Sequence, residues 1–414
     1  MATGLQDFVT LRGLKGRIKE TLWLVLPVDS QAKQEARIDK SGGHASQSDE
    51  KHLAETAAWL ARAQDAFTDG GVSRSYKAAR YSGYGPYGWQ ASYPETTGYI
   101  IPTMFSLAQV LGDPSLSARA VRMADWEVEI QLSSGAVMGS VITAPPTPAV
   151  FNTGQVIFGW LAAHGQTGKP EYLAAARKAG DYLLSVQDPE GSWGKADSGY
   201  ALKGATTYNT RVAWALIELG LRTGEGRYLD AGRSNVEYAL TKQLDNGWFG
   251  DNCLNDPERP LLHTIVYATR GILESGIALD ESRYTEAALK TLDSLLNSQR
   301  PNGGIPGRHA ADWSSQADWE CVTGDAQAAI AWLRAHAITG EKKYKDAARK
   351  TIEFVKRTQN LEHLNPGIRG GVKGSFPFDG PYGQYEMLNW AAKFFCDALM
   401  MINDEKLAAE GIKG

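Results

Sequence analysis

The chain is poor in several features that would settle its class at once. Its three cysteines, Cys253, Cys321 and Cys396, are an odd number at scattered spacings. That does not resemble a disulfide framework and favours a reducing compartment, so a cytoplasmic location is expected. No apolar run reaches the roughly 20 residues a membrane-spanning helix needs. Residues 1–16 carry no apolar core flanked by basic residues and no small-residue cleavage site, so no secretory leader is expected. The formal net charge is only −4, which gives no bulk attraction to polyanions, and nucleic acid is not an expected partner. Strand-like runs are scarce, and no glycine-rich phosphate loop or dinucleotide fingerprint follows one.

What the chain does have is a repeat. Gln131, Gln187, Gln243 and Gln299 stand 56 residues apart, with Gln64 and Gln359 as outlying copies. Each ends a helical pattern and precedes a glycine turn, as in Asp188-Pro189-Glu190-Gly191-Ser192-Trp193-Gly194. Glycine supplies the positive φ angles that end a helix and reverse the chain. A second landmark, Gly112, Gly168, Gly224 and Gly340, precedes the next amphipathic helix; Leu279-Asp280-Glu281 stands in for it once. A period of this length accommodates one helical hairpin, and a single hairpin cannot bury its own apolar face.

The periodicity predicts outer helices over about 51–66, 114–132, 170–187, 226–243, 281–299 and 342–359, apolar on one face and charged on the other. Inner helices should start near 96, 152, 209, 263, 322 and 385, with all-apolar middles such as Val156-Ile157-Phe158-Gly159-Trp160-Leu161. Six such pairs predict an all-α (α/α)6 toroid over 51–404, closed by packing Leu53–Gln64 on a last helix around Tyr385–Met400. Residues 405–414 read as a C-terminal tail. Residues 1–28 hold an amphipathic helix over 5–26 that packs on the toroid or a partner, or makes a weak membrane-surface contact through Lys15, Arg17 and Lys19. Residues 29–50 are polar and read as a mobile linker.

The Gln followed by a glycine-rich aromatic turn resembles the repeat of the squalene-cyclase and protein-prenyltransferase β superfamily. The six-hairpin pattern equally resembles the six-hairpin glycosidases, polysaccharide lyases and sugar epimerases. The resemblance covers about 50–400, is architectural, and leaves function to the site. Terpene cyclisation needs an Asp-rich acid motif, which is absent. Prenyltransferases use an Asp-x-Cys zinc pair and a distant His; Asp251-Asn252-Cys253 with His263 or His309 matches that weakly. No cofactor and no metal is expected.

The loops entering the inner helices should line one mouth of the barrel, the default pocket. They bring one polar residue each: Glu95, Asn152, Asn209, His263, Asp325 and Glu386. A Thr recurs beside them and reads as a capping residue. Glu95, Asp325 and Glu386 are candidate catalytic acids, because glycoside hydrolysis needs two facing carboxyl groups. Elimination or C5-epimerisation of uronic acids would instead need a base such as Tyr208 or His263. Asn152, Gln155, Asn209, Arg211, Arg270, Arg308 and Asn389 are candidate polar binding groups. Trp89, Tyr93, Tyr99, Trp319 and Tyr385, with Tyr84 and Tyr200 nearby, are candidate stacking surfaces for sugar rings. The expected function is a carbohydrate-active enzyme that cleaves or epimerises an oligo- or polysaccharide. An isoprenoid enzyme and a non-catalytic glycan-binding toroid are the alternatives.

Overall fold

The computed structural model describes residues 30–79, 87–194 and 204–414. The expected helix over 5–26 lies outside these, as do Tyr84 and Tyr200. Helix α1 covers Ser30–Lys40. Six hairpins follow. Their outer helices are α2 (Asp49–Asp65), α4 (Pro114–Glu129), α6 (Pro170–Ser185), α8 (Gly226–Leu240), α10 (Ser282–Ser298) and α12 (Lys342–Arg357). Their inner helices are α3 (Pro94–Leu111), α5 (Val150–Thr167), α7 (Thr210–Thr223), α9 (Leu262–Leu279), α11 (Val322–Thr339) and α13 (Asn389–Asn403). A short α14 (Glu405–Glu410) is the last helix. Each inner helix packs on the next, and α13 packs on both α3 and α2, which closes the ring.

The repeated glutamine acts as the hairpin's fastener. Gln187 Nε2 donates to the Gly191 carbonyl of its own turn and to the Ala231 carbonyl of the next outer helix, both at 3.0 Å. Gln64, Gln131 and Gln243 repeat this pair of bonds. Gln359 closes the ring by donating to Gly370 and to Thr56 of α2, each at 2.7 Å. The turn glycine is required by two constraints at once. Gly370 has φ +73°, and a Cβ there would lie 2.4 Å from the Glu55 carbonyl of α2. Only glycine satisfies both the left-handed backbone and that approach. A tyrosine at the start of each of α6, α8, α10 and α12 adds a second tie: Tyr228 Oη donates to Asp181 at 2.7 Å and Tyr344 Oη to Asp293 at 2.8 Å. Asp280 does take the place of the glycine landmark, at φ +53°, a conformation that Asp tolerates better than most side chains.

Because the long loops all join an outer helix to the following inner helix, the six inner N-termini ring one mouth. Two small antiparallel sheets tie these loops together. One joins β1 (Ser75–Lys77) to β2 (Gly88–Trp89) and to β5 (Glu386–Leu388); the other pairs β3 (Glu320–Cys321) with β4 (Ser375–Phe376). β5 occupies the expected start of the last inner helix, which begins instead at Asn389.

The polar stretch after residue 29 is not the mobile linker its composition suggests. It forms α1, whose Glu35 and Asp39 are buried against Lys373. Composition marks such a stretch as unable to build a core, but it does not show that a buried lysine elsewhere will ion-pair with it. The C-terminal residues are equally engaged: Arg270 donates to the Ile412 and Gly414 carbonyls, and Lys393 Nζ donates to Gly414 at 2.6 Å.

Candidate active site

The mouth leads into a cavity of about 160 Å³. Its titratable walls are Arg74, Glu95 and His263, with five phenols: Tyr93, Tyr99, Tyr208, Tyr267 and Tyr382. Phe151, Leu254 and Trp390 supply apolar surface, and Asn152 and Thr264 supply polar atoms. A larger groove of about 490 Å³ lies at the opposite end of the barrel, around Glu218, Arg222 and Lys413. Among the described residues its lining holds no His and no phenol, which leaves the smaller cavity as the candidate site.

Glu95 sits in the first turn of α3 and accepts a 2.6 Å hydrogen bond from Tyr93 Oη. Burial pushes its carboxyl up to about 7, against the opposing pull of the Tyr93 bond and the Arg211 and Arg74 charges. It is therefore a carboxylic acid that exchanges its proton near neutrality. His263, in the first turn of α9, is pushed down to about 4 by burial and by the Arg211 charge, against its bond to Gln327. That bond joins Nδ1 to the Gln327 amide oxygen at 2.9 Å. An amide oxygen only accepts, so Nδ1 carries the proton and Nε2 the lone pair. Tyr267, one turn further along α9, holds the imidazole face at a centroid distance of 4.3 Å.

Arg74 is held in place by a carboxylate and a ring. Its Nη1 donates to Glu386 Oε2 at 2.8 Å, and its guanidinium lies 5.1 Å over the Trp390 ring. Trp390 in turn donates through Nε1 to Tyr382 Oη at 3.0 Å. Arg211 stands behind the wall, with its guanidinium carbon 4.6 Å from the centre of the Tyr267 ring and its Nε on Gln155 at 2.9 Å.

The structure therefore brings together Glu95, Tyr208, His263, Tyr93, Tyr99 and Asn152 from the residues proposed on sequence. It does not bring the three carboxylates together. Asp325 is buried and accepts the Ile305 amide at 2.8 Å. Thr97 and Thr153 receive the Val72 and Val137 amides in the same way, each just after a turn glycine or its neighbour, so Asp325 is a hairpin brace. Glu386 is taken up by Arg74, Ser75 and Lys77.

Several binding candidates also turn out to be structural. Trp89 packs against Trp59 and Tyr76. Asn389 donates to Ser73 and Thr96, and Arg308 to the Arg259 carbonyl. Trp319 covers Gly307, whose added Cβ would lie 2.5 Å from the indole. Tyr385 stacks edge-on against Phe378, and Asn209 lies in the short 3-10 turn (Thr207–Asn209) before α7 without lining the cavity. Arg270 serves the chain's C-terminal residues at the other end. Sequence reading missed Arg74, Tyr267 and Trp390. Tyr267 was within reach, since it follows His263 by four residues on one helix face; Arg74 carried no signal of its own. Asp251 pairs with Lys242 at 3.0 Å, and among the described residues no group of three or more His, Cys, Asp or Glu could hold a metal ion. No described helix is long and apolar enough to cross a membrane.

No family profile matches the chain. Its fold, however, matches known structures over most of its length. The unsaturated glucuronyl hydrolase from Bacillus sp. GL1 superposes with a TM-score of 0.65 at 14% identity, covering 86% of this chain and 96% of that one. Cellobiose 2-epimerase from Bacillus thermoamylovorans B4167 gives 0.66 at 12% identity, covering 89% and 98%. A sugar epimerase from a ruminal bacterium gives 0.66 at 14%, covering 86% and 97%. The chain is thus an (α/α)6 toroid of the six-hairpin kind. At these identities the likeness establishes architecture, and function rests on the cavity.

Proposed function

We propose that the chain is a carbohydrate-active enzyme that moves a proton on and off a sugar carbon, as in epimerisation next to a carbonyl. The observation that carries this is the pairing of one near-neutral carboxyl, Glu95, with one neutral imidazole, His263, in a single aromatic cavity. The described walls hold no second carboxylate, which two-carboxylate hydrolysis requires. The cavity is well under the roughly 300–1,000 Å³ of clefts that take drug-sized ligands, so it suits one sugar ring, with any further units outside. Tyr and Trp faces suit the apolar face of such a ring.

In this reading His263 Nε2 takes the proton from the carbon beside the open-chain carbonyl. Arg74 and a phenol O–H stabilise the negative charge that develops on the carbonyl oxygen. The Glu95 carboxyl returns a proton to the same carbon from the other side, giving the epimer. Solvent then resets both groups. Among the structural neighbours, the two epimerases are named for this class of conversion. Hydrolysis is the second reading, favoured by the glucuronyl hydrolases that share the fold. It would use Glu95 as acid and His263 to activate water.

Incubation in D2O separates them. Glucose, mannose and cellobiose are followed by NMR alongside an unsaturated glucuronyl disaccharide. Deuterium at C2 of a reducing sugar, lost in His263→Gln, is the expected result. Cleavage of the uronyl disaccharide, with no exchange into any reducing sugar, would sink epimerisation and establish the hydrolase.

A further inference from the structure

Helix α1 lies outside the six hairpins, yet it places two carboxylates in the interior. Glu35 and Asp39 are 1% and 2% exposed. They close on Lys373 Nζ at 2.9 and 2.6 Å, and Lys373 is itself fully buried. The second Asp39 oxygen accepts the Phe378 amide at 2.8 Å. Glu35 also accepts from Asn360 Nδ2 at 2.8 Å, and Lys40 reaches Asp379. Every one of these partners lies on the loop between α12 and α13.

That loop builds one wall of the cavity. Lys373 faces Met387 across an antiparallel bridge, and the Gly374 amide donates to the Glu386 carbonyl at 3.0 Å. Glu386 holds Arg74. Ser375 Oγ donates to the Tyr382 carbonyl at 2.7 Å and accepts the Tyr382 amide at 3.0 Å. The residue gripped by α1 is therefore next in line to those that set Arg74 and Tyr382. A buried ammonium stripped of its carboxylates is strongly disfavoured, so the loop cannot keep this path once α1 leaves.

We propose that α1 is a clasp: its docking on Lys373 positions Tyr382 and Arg74, so that docking and sugar binding are coupled. The sugar half of this rests on the reading of the cavity given above. Glu35, Asp39 and Lys373 are positioning residues, since none lines the cavity. Coupling is reciprocal: whatever the clasp adds to sugar affinity, bound sugar adds to clasp docking. If only the clasped form binds, undocking raises the apparent dissociation constant by the inverse of the docked fraction and leaves the bound complex unchanged.

The test uses the full chain and Asp39→Asn, which keeps shape and removes charge, with Glu35→Gln as a second, milder variant. Hydrogen exchange is measured over 30–40 and 373–388, without sugar and with saturating glucose, mannose or cellobiose. Both variants should speed exchange in the two segments, by about tenfold in Asp39→Asn, while α9 and α11 keep wild-type rates. KM should rise about tenfold with kcat within twofold, the signature of a populated unclasped state rather than of lost folded protein. Sugar should slow exchange in wild-type α1. Unchanged exchange over 373–388 in both variants overturns the proposal, as does a fall in kcat at constant KM. So does sugar that protects the cavity helices and leaves α1 untouched. If no sugar protects any part of the wild type, the proposed function fails on its own; the exchange comparison without sugar still decides the clasp.

Discussion

Removing one hydroxyl tests whether Glu95 is the acid. Tyr93→Phe deletes the 2.6 Å bond that Tyr93 Oη gives to the Glu95 carboxylate and keeps the ring. A hydrogen bond to a charged group contributes roughly 1.5–3 kcal/mol. It stabilises the ionised form, and water admitted to the cavity restores part of it. A net loss of about 1–2 kcal/mol corresponds to a shift of about one pK unit, at 1.36 kcal/mol per unit. The direction is upward, from the value of about 7 that burial already imposes. The protonated acid is the working form, so wild-type kcat/KM should fall as pH rises through about 7. It should also fall as pH drops through about 4, where His263 takes up a proton. In Tyr93→Phe the alkaline limb should move up by about one unit and the acid limb should stay. The assay is the pH dependence of solvent-deuterium exchange into the substrate. An alkaline limb that stays put or moves down would refute the assignment. So would the same limb persisting in Glu95→Gln, since the titrating group would then be another.

Two further predictions concern buried acids outside the cavity. Asp325→Thr should fold and keep activity, because Thr97 and Thr153 perform the same service with a hydroxyl, whereas Asp325→Ala should cost about 1–3 kcal/mol by orphaning the Ile305 amide; urea melts decide, and loss of turnover in a stable Asp325→Thr would return Asp325 to the chemistry. Glu127 on α4 is buried with neither carboxyl oxygen partnered among the described residues, and burial raises its pKa well above the usual range, which favours the protonated form in the fold. The folded state then binds the extra proton, and stability should fall as pH rises from about 4.5 toward the folded pKa. Glu127→Gln should remove that slope, gaining on the wild type as pH rises; parallel melts across pH would show no divergence if the carboxyl were ionised in the fold.

The architecture was legible because its cause is repeated. A turn in which a Cβ on Gly135 would lie 2.3 Å from the Lys178 carbonyl, at φ +89°, admits little but glycine, and the same constraint recurs around the ring. A glutamine that must reach two carbonyls at each hairpin likewise leaves a regular mark. Such constraints are local and survive in the sequence as a period. The α1 helix left no such mark, because its stability comes from Lys373, more than 300 residues away, and a polar helix with a distant partner has the composition of a linker.

The site was half legible for the same reason. Helix entry points align in the sequence, which marks Glu95, Asn152 and His263 as mouth residues. Alignment of the entries leaves a register of one or two residues open, so it cannot tell which acid faces the cavity and which braces its own hairpin. Asp325 stands where Thr97 and Thr153 stand and takes a backbone amide, whereas Glu95 stands two residues ahead of Thr97 and takes a phenol. Arg74 was invisible, because its place depends on Glu386 arriving from the far end of the chain through the pairing of β1 with β5. The same pairing turns a presumed catalytic acid into the support of a cationic wall. The ring's closure, which brings first and last hairpins side by side, is therefore also what assembles the cationic side of the cavity. A toroid left open at that seam would keep Glu95 and His263 on their helices and lose Arg74, the group that would answer the negative charge of the proposed reaction.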